Sequence, residues 1–215
     1  MHLLKILKLV PAIALACCVT EAGATIVSQA DAKFGAGALT YDSATKLQWL
    51  DLTITTNKSY AYVSSQFGAG GAYEGFRYAS LAELNKLETD FGFTLLNSST
   101  AVVGNGIPAY NFINMLGNTR PSTNGTSNPY TDGLILNAEV MVVGGVCSDG
   151  NCNGSANDMG HDFSRGIYST SSASTSVGSF LVRSAAVPEP GSIALFGIAL
   201  TALAAVRRKR SKSGG

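Results

Sequence analysis

The sequence predicts an α+β domain with two or three short helices and a mainly antiparallel sheet, set between two apolar, basic-flanked ends. Three observations carry this. Ser80-Leu81-Ala82-Glu83 is a capping box that opens a stretch with Leu81, Leu84 and Leu87 at helical spacing. Glu139 to Val146 is a valine-rich run of strand length. Charge is segregated along the chain, so the ends have to be separated from the fold before it is read.

The whole chain has 215 residues, 46% hydrophobic and 13% charged, with a formal charge of +1. These values exclude a basic nucleic-acid binder, an acidic disordered tail and a collagen-like chain. The average conceals three unlike parts. Residues 1–24 carry net +1, residues 25–190 carry 8 basic and 13 acidic groups, and residues 191–215 carry net +5. An acidic middle of this kind repels phosphate backbones, so no nucleic-acid partner is expected.

Residues 1–24 read as a signal peptide. Lys5 and Lys8 precede the apolar run Leu9 to Val19, and Ala22-Gly23-Ala24 fits a small-x-small cleavage site before Thr25. The apolar core is short for a membrane span of about 20 residues. An N-terminal anchor and a lipoprotein signal at Cys17, after Ala14-Leu15-Ala16, are the competing readings. Either signal leads to an oxidising compartment.

At the other end, Val187-Pro188-Glu189-Pro190 precedes an uncharged stretch, residues 192–206, and then Arg207-Arg208-Lys209-Arg210. The prolines hold an extended segment ahead of an alanine- and leucine-rich transmembrane helix. Fifteen helical residues span about 22 Å, short for a hydrocarbon core of about 30 Å. The basic cluster acts as a membrane stop and stays cytoplasmic. This three-part tail, residues 187–215, resembles the PEP-CTERM sorting signal. The resemblance implies exosortase, a membrane protease or transpeptidase, as partner, with cleavage near Pro188-Glu189-Pro190. It also implies a Gram-negative host that makes exopolysaccharide. The protein would cross the inner membrane, stay tethered to it transiently and then reach the cell surface or the extracellular matrix. A plain C-terminal anchor is the competing reading.

The domain between the ends, residues 25–186, is long enough for one core. Leu39 to Tyr41 and Leu47 to Leu52 read as strands. Ser59 caps a helix over Tyr60 to Phe67 that stops at Gly68. Phe76 to Ala79 is a short strand, and the capping box then opens a helix ending at Gly92. Ile107-Pro108 starts a third helix through Tyr110, Ile113 and Leu116, stopped by Gly117. After the Glu139 to Val146 strand, Ile167 to Thr170 and Phe180 to Arg183 read as the last two. Gly117 to Asn128 and Thr170 to Ser179, rich in Gly, Asn, Ser and Thr, read as surface loops.

Within this domain, Asp42-x-x-Thr45-x-Leu47-x-Trp49-Leu50-Asp51 and Ser59-Tyr60-x-x-Val63 are followed by Gly75-Phe76-Arg77-Tyr78-Ala79-Ser80-x-x-Glu83-Leu84. Tyr168-Ser169-Thr170 and Phe180-Leu181-Val182-Arg183 close the pattern. Together these are similar to the Lcl C-terminal domain family, over roughly residues 39–91 and 166–184. The similarity implies a C-type-lectin-like fold. Tyr78-Ala79 stands where that family usually has Leu-Pro, and the stretch 92–140 is unmatched.

Few residues suggest chemistry. Asp149-Gly150-Asn151-Cys152-Asn153-Gly154 matches the first half of a calcium loop, with candidate ligands Asp149, Asn151 and Asn153. The twelfth position is Gly160 instead of Glu, and Asp158 or Asp162 could substitute only with other geometry. A solvated turn is the competing reading, and no cofactor is expected. Cys147 and Cys152, the two cysteines left in an exported chain after signal removal, are expected to form a disulfide; a zinc set is incomplete, with His161 the sole histidine of the domain. His161, Asp162 and Ser164 lack a nucleophile elbow, and sequence neighbours seldom align for proton relay. Glu83, Glu88 and Asp90 are expected on a solvated helix end, with Glu83 as capping partner. Arg77 and Arg183 are expected in structural ion pairs, and Trp49 in the core, with sugar stacking as its alternative. Gly68-Ala69-Gly70-Gly71 lacks the context of a phosphate loop. The expectation is therefore a non-enzymatic exported protein. The alternative is a carbohydrate-binding C-type-lectin-like module, with or without calcium.

Overall fold

The computed structural model describes residues 24–94, 96–120, 129–146 and 159–185. The described chain is α+β, as expected. Its strands form two five-stranded sheets where one was expected. The first sheet contains β1 (Ile26–Asp31), β2 (Gly35–Asp42), β3 (Leu47–Leu50), β4 (Arg77–Tyr78) and, from the far end of the domain, β10 (Leu181–Ser184). Their order is β1-β2-β3-β10-β4, all antiparallel. The second contains β5 (Ser98–Val102), β6 (Tyr130–Leu134), β7 (Glu139–Val146), β8 (Met159–Ile167) and β9 (Gly178–Ser179), in the order β5-β8-β7-β6-β9. Among these, β9 pairs parallel to β6 and the other pairs are antiparallel. Hydrophobic periodicity marks strands but not their partners, so the split into two sheets is a tertiary result.

Three helices join them: α1 (Tyr60–Ser65), α2 (Leu81–Phe91) and α3 (Gly106–Leu116). The Ser59 hydroxyl accepts from Tyr62 N–H and starts α1. Ser80 and Glu83 form the reciprocal box at α2, whose end turns at Gly92 with φ 98°. Gly92 supplies the left-handed residue that closes the last turn without a Cβ penalty. Ser80→Ala is expected to cost about 1 kcal/mol, measured as a lower urea midpoint with an unchanged slope.

Strands β3, β7 and β10 are buried on both faces. Trp49, Val182, Met141 and Val143 join one apolar cluster with Leu84, Leu87, Phe112 and Leu116 of α2 and α3. Leu50, Leu181, Val140 and Val142 join a second, with Val63, Tyr73, Phe76 and Tyr78. Two-sided burial explains the valine-rich run of β7, while β3 and β10 each carry a partly buried polar residue, Gln48 and Arg183. Gly133 of β6 permits close layering, because a Cβ there would lie 2.5 Å from Leu52 Cδ2.

Three expected boundaries move. The strand placed at Ile167 to Thr170 instead ends at Ile167, where Gly166 at φ 91° turns the chain and Tyr168 N–H donates to Ala138 O at 2.7 Å. The strand from Leu47 stops at Leu50, because Asp51 accepts from Thr53 N–H and caps a 3-10 turn, Leu52–Thr55. The expected loop before Phe180 ends in β9, which pairs with β6.

The first sheet has a tight corner. Asp42 is buried beneath the β2–β3 turn, and its carboxylate accepts from Ala44 N–H and Thr45 Oγ1. This Asx turn is the physical content of the Asp42-x-x-Thr45 spacing. Thr25 N–H donates to Ser43 Oγ and Ser43 N–H to Thr25 O. On the other side of the turn Ala185 N–H donates to Lys46 O at 2.9 Å.

Candidate functional site

Two regions carry the polar groups that a function could use: strand β8 with its neighbours, and the corner where the chain leaves the domain.

Successive residues of a strand face opposite ways, and β8 shows the consequence. Asp162 is fully buried on the inner face, and its Oδ2 accepts from Asn97 N–H at 2.6 Å. Its carboxyl meets Glu88 of α2, which is also fully buried. Burial first, then the neighbouring Asp162, pushes the Glu88 carboxyl far above its ordinary range. Burial also raises Asp162, against the lowering effect of the Asn97 and Ser98 N–H groups. Two adjacent buried carboxyls cannot both ionise, so the pair holds one proton. Asp162 has the backbone donors, so Glu88 is the member of the pair raised furthest. Glu88 is thus a correction to the expected solvated helix end. Asp90 is also mostly covered and pairs with Lys86. Glu83 does act as the capping partner, and Arg77 grips both its oxygens. That bidentate contact, opposed by burial and helped by Ser80, lowers the Glu83 carboxyl to about 2.

On the outer face His161 packs edge-on against Phe163 at 5.4 Å and beside Tyr130 at 5.8 Å. Burial holds its pKa below the ordinary value, with Asp162 acting against this and Arg120 adding to it. Because His161 and Asp162 point to opposite faces, they do not form a relay. Ser164 Oγ accepts from Gly166 N–H and lies on the Asp162 side of the alternation. The three do not assemble as a triad.

Beside His161 lies a cluster that the sequence reading missed. The buried Asp132 carboxylate faces Arg165 at 3.0 Å and Arg120 at 3.4 Å. The Arg120 guanidinium sits 4.1 Å from the Tyr130 ring centre. Burial raises the Asp132 carboxyl and the two arginines oppose this. Alternation within β6 puts Tyr130 and Asp132 on one face, but nothing in the sequence brings Arg120 and Arg165 to it.

The other candidates have structural roles. Arg183 bonds Gln48 and Asp31 and lies over the Phe76 ring at 4.6 Å. Burial opposes the lowering of Asp31, but hydrogen bonds from Lys33 N–H, Arg183 and Phe34 N–H outweigh it. Trp49 is fully buried, which places it in the core. The calcium candidates Asp149, Asn151 and Asn153 and the pair Cys147 and Cys152 lie outside the described residues. Two neighbours of that loop are described. A Cβ at Gly160 would lie 2.2 Å from Asn105 O, so its position accepts no side chain. Asp162 is committed to the inner face. No group of three or more His, Cys, Asp or Glu residues that could hold a metal occurs among the described residues.

The corner leads to the deciding observation. Ala185 is the last described residue, bonded to Lys46. Residues 186–210 match the PEP-CTERM protein-sorting motif. Such motifs mark proteins sorted to the cell envelope or surface, and imply exosortase as the processing partner. No curated protein and no solved structure matches the chain, so the C-type-lectin-like similarity gains no support from them. Val187, Pro188, Glu189, Pro190 and the cluster Arg207, Arg208, Lys209, Arg210 lie outside the described residues, as does Ala22 of the signal site. Ala24 and Thr25 are described, at the corner. Among the described residues no helix is long and apolar enough to cross a membrane.

Proposed function

We propose that this chain is an exported, non-enzymatic domain delivered through the exosortase route of a Gram-negative bacterium. It would be tethered briefly to the inner membrane and released or transferred by cleavage near Pro188-Glu189-Pro190. The match of residues 186–210 to the sorting motif carries this reading. A buried core built from both sheets, with Arg77 and Glu83, and Asp31 and Arg183, engaged in ion pairs at its edge, supports a role in presentation. Pro188→Ala combined with Pro190→Ala is expected to leave the tail uncut. Mass spectrometry of the mature chain checks it: removal at the parental bond in the double variant, or no removal in the parent, sinks the proposal.

A carbohydrate-binding role, with exopolysaccharide as the ligand class, is the second reading. The partly exposed Arg120 and Tyr130 beside Asp132 and Arg165 favour it, since planar rings and guanidinium donors suit sugar faces and hydroxyls. A glycan array with and without calcium tests it. Binding that Arg120→Ala abolishes would support it, and an array without signal would remove it.

A further inference from the structure

The place where the chain leaves the domain constrains how a peptidase meets it. Ala185 N–H is bonded to Lys46 O, and the matched motif begins at the next residue. Three residue steps separate Ala185 from Pro188, a reach of at most about 11 Å. The domain cannot release more chain cheaply. β10 is an inner strand, with Val182 paired to both Trp49 and Arg77, and Leu181 and Val182 fully buried.

Thr25 and Ala185 flank the same turn. Three strand spacings, β1 to β10, separate them by about 14 Å. Close termini are common in domains; here the missing linker gives the closeness a consequence. The turn between them is held by the buried Asp42 carboxylate, and it presents the exposed Ala44 and Lys46. Lys46 is exposed on this turn, and Asp42 is buried beneath it.

We propose that the corner made by the Ser43 to Lys46 turn, Thr25 and Ala185 is the membrane-facing pole of the domain. The membrane-embedded peptidase that processes the tail cuts while in contact with this corner. The proposal rests on the tail being a processed sorting signal. Ala44→Trp adds bulk at the pole without touching the Asp42 bonds, which use Ala44 only through its backbone. It is expected to slow tail removal at least fivefold in cells, with an unchanged melting temperature. Ala32→Trp, exposed in the turn at the opposite end of β1 and β2, is expected to process at the parental rate. An eight-residue Gly-Ser insertion after Ala185 extends the reach by about 26–29 Å and is expected to restore the rate of Ala44→Trp. Lys46→Glu gives a second probe, at a position whose φ of 60° already carries a side chain. Parental rates for Ala44→Trp and Lys46→Glu, or equal slowing by Ala32→Trp, would overturn the corner as the contact and leave the sorting reading intact. A parent chain whose tail is never removed overturns both.

Discussion

Phe112→Ala is expected to lower the stability of the domain by about 3–5 kcal/mol. Phe112 is fully buried on α3 and is where several elements converge. Its ring meets Phe91 of α2 at 5.2 Å, and Phe93 and Phe180 each at 6.2 Å. Removing it takes away the transfer free energy of a benzyl group and leaves a cavity walled by α2, α3 and the Phe180 segment between β9 and β10. Those walls cannot collapse together without moving Phe180, whose N–H is bonded to Leu134 O. For a domain of this size the melting temperature is expected to fall by roughly 10 °C or more. Phe112→Leu keeps most of the volume and should cost far less. Ile107→Ala, at a half-exposed position on the same helix, should stay within about 0.5 kcal/mol of the parent. Urea titrations of the three variants check the order. A loss below about 1 kcal/mol for Phe112→Ala would show that the two helices do not share one core.

Glu88→Gln is expected to change the pH dependence of stability. Burial and the Asp162 neighbour raise the folded pKa of Glu88 above its ordinary 4.5. The native state therefore holds a proton that the unfolded chain releases. This stabilisation is complete below the unfolded pKa and is lost as pH rises through the folded value. Glutamine keeps the shape and an N–H donor toward Asp162 but does not ionise. The variant should match the parent near pH 4–5 and exceed it above pH 7, by on the order of 1–3 kcal/mol. Other groups move the absolute profile. His161, its pKa held down by burial, favours the fold above its ordinary 6.5 and loses that contribution in acid. Glu83, lowered from 4.5 to about 2, loses its contribution as pH falls through that window. Subtracting variant from parent isolates the Glu88–Asp162 pair. Melting curves from pH 4 to pH 9 decide, and a difference independent of pH would refute the shared proton.

The contrast between Glu83 and Glu88 shows how far the sequence could be read. Glu83 sits three residues after Ser80, and local geometry alone makes it a capping partner. Glu88 is one polar residue among several near a helix end, and a solvated face was the natural expectation. It is buried because Asp162, 74 positions later, arrives on the facing strand. The same holds for Asp132, whose arginine partners come from the stretch just after α3 and from near the end of β8. Strands β1, β5, β6, β8 and β9 were also missed. They are rich in Ser, Thr, Gly and charged residues, and pairing with neighbours holds them where composition does not.

By itself the sequence determined what short-range physics controls. That covers the three helices with the Ser59 and Ser80 caps and the Gly92 and Gly117 stops, the buried valine-rich strand β7, and the sorting motif. Each is written within a few consecutive residues, because hydrogen-bond caps and hydrophobic periodicity act over one or two turns of chain. Tertiary structure alone decided that the strands divide into two sheets, that two carboxyls share one proton, and that Thr25 and Ala185 flank one turn. These depend on which segments pack together, and packing joins residues whose separation along the chain leaves no local mark.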